Sequence, residues 1–232
     1  YTLVATNAFG STTSTPITLS VTPVAQTIDF PSLPDVPFTR TPLTLAASAT
    51  SGLPVSFAYV SGPATLAGNA LTLTGTGLVT VRATQPGDAD YTAAPSVERS
   101  FTVLPNFAAW QNTRFSAEQL VQPATIAPDA VLTADGLANL LKYALGLDPQ
   151  VAATAGLPAI GSEDGTWTFT YTRPDSVTDV IYAVEVSEDL TFWTSAGVEH
   201  FLLTSGGGTQ TWRARYTPAA SGRLFFRLKV SL

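Results

Sequence analysis

The chain has 232 residues, a net charge of −6, 45% hydrophobic residues, 35 threonines, two lysines (Lys142 and Lys229), one histidine (His200), and neither cysteine nor methionine. These counts exclude a disulfide framework, a thiolate metal centre, a cysteine nucleophile and a paired-histidine metal site within one chain. An acidic balance without a basic run argues against nucleic acid as a partner, and no apolar run approaches the length of a membrane span.

The apolar fraction is that of a packed protein, and the β-branched threonines suit pleated sheet. With no methionine, and no leader of charged then apolar residues, the sequence reads as part of a longer protein.

Residues 1–23 hold two alternating runs, Tyr1, Leu3 and Ala5 and then Ile17, Leu19 and Val21, with Gly10 and a Ser/Thr stretch between them. This predicts a hairpin, which alone is marginal in water. Its open edge and apolar face are expected to leave it disordered, or completed by strand addition from another chain. Residues 24–104 carry six candidate strands, at 26–30, 42–47, 54–59, 70–74, 78–84 and 97–103, punctuated by Gly, Pro, Ser and Asp. That spacing suits a small β-sandwich. Val79, Val81 and Ala83 alternate with Thr80, Arg82 and Thr84, as one buried face requires.

Residues 105–158 are the helical part. Phe107, Trp110, Phe115 and Leu120 predict a helix over 107–120, and Leu137, Leu140, Leu141 and Leu145 a second over 136–145, with Gly146 as its C-cap. Residues 159–232 return to β alternation. Trp167, Phe169 and Tyr171 share one face; so do Tyr182, Val184 and Val186; so do Phe226, Leu228 and Val230, with Gly206, Gly207 and Gly208 in a hairpin loop.

Several stretches carry a resemblance. Tyr1-Thr2-Leu3-Val4-Ala5-Thr6-Asn7-Ala8-Phe9-Gly10 resembles the closing strands of immunoglobulin-like (Ig-like) domains, with Leu3 where a disulfide cysteine would stand. Ser51-Gly52-Leu53-Pro54-Val55, Ser61-Gly62-Pro63-Ala64, Gly75-Thr76-Gly77, Gln85-Pro86-Gly87 and Tyr91-Thr92-Ala93-Ala94, in that order, resemble a bacterial Ig-like repeat. That repeat occurs in tandem in large secreted and surface proteins of environmental Gram-negative bacteria. The stretch from Asp135 to Pro149 resembles a dockerin-like linker, and Tyr182–Thr194 with Arg223–Val230 a terminal module of the same chains.

The resemblance implies a mainly β chain of tandem Ig-like sandwiches joined by a short two-helix linker. Its pieces are the last hairpin of one domain (1–23), a whole sandwich (24–104), the linker (105–158) and a C-terminal sandwich (159–232). It implies an extracellular or cell-surface setting, with other copies or upstream domains of the same protein as partners.

The best candidate for chemistry is the loop Val131–Lys142, which resembles an EF-hand-like calcium loop. Such a loop places oxygen donors at positions 1, 3, 5 and 9 and a carboxylate at 12. Asp135 and Asn139 fall on the fifth and ninth, Asp129 lies close by, and Thr133 is a weak third. Val131 cannot ligate, and Lys142 places a cation where the strongest ligand belongs. The reading favoured by the residues is therefore no cofactor, with Asp135 capping the second helix and Gly136 allowing the tight turn into it; calcium is the alternative.

Trp167, Trp193 and Trp212 could stack on sugar rings, which makes polysaccharide a second partner class, although a core demands the same pattern. No GxSxG or phosphate cradle is present, and His200, beside Glu199 and before an apolar run, reads as a strand-edge residue. Glu185, Glu188 and Asp189 read as a solvated turn rather than a catalytic pair. The expected function is a non-catalytic structural or adhesive module. The alternatives are a carbohydrate-binding accessory to an enzyme and a C-terminal secretion or attachment domain.

Overall fold

The computed structural model describes residues 1–18, 20–218 and 223–232; Leu19, assigned above to the hairpin, lies outside them. In chain order the strands are β1 (Val4–Asn7), β2 (Gly10–Thr13), β3 (Ile28–Asp29), β4 (Val36–Pro37), β5 (Leu43–Thr44), β6 (Ser48–Ala49), β7 (Ser56–Ser61), β8 (Ala64–Ala67), β9 (Ala70–Leu73), β10 (Gly77–Thr84) and β11 (Val97–Leu104). Four short helices follow: α1 (Phe107–Arg114), α2 (Ala117–Leu120), α3 (Pro123–Ile126) and α4 (Asn139–Leu145). The remaining strands are β12 (Ala159–Glu163), β13 (Thr166–Pro174), β14 (Ile181–Ser187), β15 (Glu199–Gly206), β16 (Thr209–Tyr216) and β17 (Phe225–Ser231). The chain is mainly β, and it divides into two compact units.

The first unit comprises residues 1–34, 41–74 and 78–102. β1 and β2 form the N-terminal hairpin, but in a different register from the one expected. Asn7 pairs with Gly10, and Val4 with Thr13. Asn7 Oδ1 accepts the Phe9 N–H at 2.8 Å, an Asx turn that reverses the chain immediately. The Ser/Thr stretch is thus the second strand rather than the turn. Beyond it, Ser14 N–H donates to Leu3 O and Ile17 N–H to Tyr1 O, so Ile17 still lies opposite Tyr1. The hairpin is formed, which removes the disordered alternative, and every described residue from Tyr1 to Ala25 is exposed.

The remaining sheets of this unit enclose a packed interior. β9 pairs with both β5 and β8, β3 pairs with β6, and β10 lies between β7 and β11. Val79, Val81 and Ala83 are completely buried, beside Leu71, Phe30 and Phe101. Phe30 meets Phe57 edge to face at 5.4 Å. Arg82, on the outward face of β10, pairs with Glu98 at 2.6 Å. β8 escaped the sequence reading because Ala64-Thr65-Leu66-Ala67 is too short to show alternation.

The second unit comprises residues 35–40, 75–77 and 103–232. β4 pairs in parallel with the end of β11, Val36 opposite Val103. The expected helix over 107–120 is broken in two. Phe115 is extended (φ −115°, ψ 145°), and Ser116 starts α2 with a capping box completed by Gln119. α3 is one further turn with Pro123 at its start. Four helical segments thus occupy the stretch where two were expected. They share a core with the strands that follow: Phe107, Leu140, Tyr143 and Ala144 pack with Val177 and Val180.

The strands of this unit form a four-stranded sheet, β12-β13-β16-β15, and a two-stranded ladder, β14-β17. Their inner residues Phe169, Tyr171, Val184 and Ala214 cluster with Leu145 of α4. The faces read from alternation are the faces observed: Phe169 lies opposite Ala214 and Tyr171 opposite Trp212. His200 lies on β15, an edge strand.

Candidate functional site

The stretch from Thr133 to Lys142 builds the most organised polar group in the second unit. α4 ends in a left-handed Gly146 (φ 71°), whose N–H reaches back to Tyr143 O while Leu147 N–H donates to Lys142 O. This is the glycine C-cap expected from sequence. Fixing α4 fixes Lys142, whose side chain is fully buried. Its Nζ donates to Val151 O at 2.8 Å and to Thr133 Oγ1 at 2.5 Å, and it pairs with Asp135 Oδ2 at 3.0 Å. An ammonium has three N–H donors, and here each has an acceptor.

Asp135 completes the network. Its Oδ1 accepts the Thr133 hydroxyl at 2.7 Å and the Leu137 N–H at 3.1 Å, and its Oδ2 accepts the Ala153 N–H at 2.7 Å. The Ala153 N–H bond, aided by the bonds from Thr133, Leu137 and Lys142, outweighs the cost of desolvation. Together they hold the carboxyl well below the usual carboxylate range. Its side chain is only 8% exposed.

The expected helix cap is therefore corrected. α4 begins at Asn139, its N-cap is Ala138, and no side chain caps it. Asp135 lies too far upstream and instead clamps its own turn to the segment at Ala153. Gly136 does adopt the left-handed conformation expected of it (φ 72°).

The other loop candidates do not join this cluster. Asn139 Nδ2 donates to Thr125 O and Ala127 O at 2.9 and 3.0 Å, tying down the end of α3, and its buried Oδ1 has no partner. Asp129 is exposed. Among the described residues no group of three or more His, Asp or Glu side chains is placed to hold a metal ion. Around Lys142 the protein offers one carboxylate, one hydroxyl and one carbonyl, against the six to eight oxygens calcium takes. The residues present do not fit calcium.

The tryptophans are dispersed. Trp212 lies on the inner face of β16, its Nε1 donating to Gln210 Oε1, with the Arg173 guanidinium 5.0 Å from its ring. Arg173 also lies 4.5 Å over Tyr182, so one cation bridges two rings. Beside them the Tyr171 hydroxyl lies 3.0 Å from His200 Nε2, and burial, with Arg173 adding repulsion, lowers the histidine below its ordinary value. Trp193, partly exposed in the turn after β14, donates Nε1 to Leu190 O and carries Arg227 4.3 Å over its ring. Trp167 is 37% exposed, opposite Tyr216.

Sequence reasoning singled out Trp193 in this turn and missed its neighbours. Leu190 has a positive φ of 65°, and Phe192 is 73% exposed. A cavity of about 310 Å³ lies beside them, lined by Glu188, Phe192, Thr194 and Tyr216 among others. A second cavity of similar volume is lined by Asn106, Trp110, Arg114 and Tyr143 among others, but its polar groups serve the fold. Tyr143 donates to Asp179, Asn106 caps α1, and Arg114 pairs with Asp148.

No helix among the described residues is long and apolar enough to cross a membrane. No protein-family model matches the chain, and no curated protein shows significant similarity to it.

Proposed function

We propose that the chain is a non-catalytic, extracellular structural or adhesive module, built of Ig-like sandwiches and serving as stalk and terminal domain of a multidomain surface protein. The observation that supports this reading is the N-terminal hairpin. Tyr1, Leu3, Ile17 and Val21 are all more than two-thirds exposed, and no acidic or basic side chain occurs between Tyr1 and Ile28. Sheet edges left free in solution are normally guarded by charge, proline or a bulge. An unguarded pair of strands is a joint: it is completed by strands of another β-module, in another copy or in an adjoining domain.

Sedimentation velocity of the full chain over a range of concentrations tests this. Concentration-dependent association is expected, and it is abolished by Leu3→Thr with Ile17→Thr. A wild-type chain that stays monomeric throughout removes the support.

A second reading, polysaccharide binding, is favoured by the exposed Phe192 beside the cavity at Glu188 and Tyr216. Retention on insoluble polysaccharide that is lost in Phe192→Ala would establish it over the first.

A further inference from the structure

We infer that the turn Thr133–Asp135, together with Val151, is a cation-binding site whose cation is the chain's own Lys142 ammonium. Three observations carry this. First, the group is enclosed: the Lys142 side chain has no exposure and Asp135 almost none, whereas lysines are almost never fully buried unless paired. Second, the coordination is closed. Thr133 Oγ1, Asp135 Oδ2 and Val151 O converge on Nζ from two separate stretches of chain, and both carboxylate oxygens are further saturated by Thr133, Leu137 and Ala153. Third, the charge count suits a monovalent ion, since one carboxylate faces one ammonium. A tethered ammonium does here what a bound metal does elsewhere: it draws the turn before α4 and the segment after it onto one point. The site needs no ion from solution, and it becomes a site for a small free cation once the lysine head group is removed.

Two measurements on the full chain test this. In the wild type, amine-reactive labelling separates the two lysines. Lys229 is mostly exposed, with Nζ 3.5 Å from Glu185, and labels readily. Lys142 is expected to label roughly 100-fold more slowly or less, because a buried amine reacts only on opening. Comparable rates would overturn the inference.

In Lys142→Ala the melting temperature falls, and ammonium chloride is expected to restore at least about 2 °C more than sodium chloride at equal ionic strength, by binding the folded state alone. Absence of that difference would overturn the inference, as would a wild-type melting temperature that rises on adding calcium chloride. Should Lys142→Ala fail to fold, the labelling ratio and the wild-type calcium titration still decide.

Discussion

The surroundings of Lys142 and the N-terminal hairpin break the same rule in opposite directions. In one, a lysine is wholly enclosed; in the other, Leu3, Ile17 and Val21 lie open to water. Residue type therefore does not decide burial by itself. What decides it is whether neighbouring elements can supply partners. α4 is held by a hydrophobic core, so its polar face is carried inward, where Thr133, Asp135 and Val151 meet the ammonium. The hairpin is held by its own ladder alone and has no second layer to cover its apolar residues.

The largest effect is expected from breaking the enclosed charge. Lys142→Met keeps the length and apolar stem but leaves Asp135 without its counter-ion. Removing one partner of a buried pair costs about 3–5 kcal/mol, which denaturant melts of the second unit would register. The double variant Lys142→Met with Asp135→Leu should lose distinctly less than the single one, because no uncompensated charge remains. A Lys142→Met variant as stable as wild type would mean that enclosure and pairing do not matter here.

How much of this contrast was legible in the sequence depends on the range of the signal. Gly146 as a C-cap, the Gly207-Gly208 loop and the faces of β10, β13 and β14 follow from local chemistry, and each was readable. Two local signals were present but overlooked. Asp164-Gly165, both with positive φ (51° and 80°), joins β12 to β13 in the manner of the tightest hairpins. Ser116 with Gln119 marks the break between α1 and α2.

The candidate site was legible only in its membership. Thr133, Asp135 and Lys142 were singled out by spacing, and Lys142 was read as a defect. Its role depends on Val151 and Ala153, which lie nine and eleven residues beyond it on a segment with no periodic pattern. No sequence rule brings that segment back against the turn.

Acid offers a smaller and more graded way to separate the two regions. The folded state holds Asp135 below its ordinary value, so it binds fewer protons there than the unfolded chain does. The stability this contributes is complete above the ordinary carboxylate pKa of about 3.9 and declines as pH falls below it toward the depressed folded value. Asp135→Asn should flatten that decline. The hairpin contains no carboxylate side chain, so its substitution should leave the acid limb unchanged. An acid limb of identical slope in wild type and Asp135→Asn would place the pH sensitivity elsewhere.

The smallest effect is expected at the hairpin itself. Leu3→Thr with Ile17→Thr replaces two side chains that are 74% and 69% exposed. Exposed substitutions away from special features usually change stability by about 0.5 kcal/mol or less, and threonine keeps the β-branching that suits a strand. Melts of the double variant at low concentration should overlay those of the wild type, even where its tendency to associate has changed. A loss well beyond that range at low concentration would mean that these side chains are covered within the single chain. The contrast between an enclosed charge and an uncovered apolar face would then fail on the side of the hairpin.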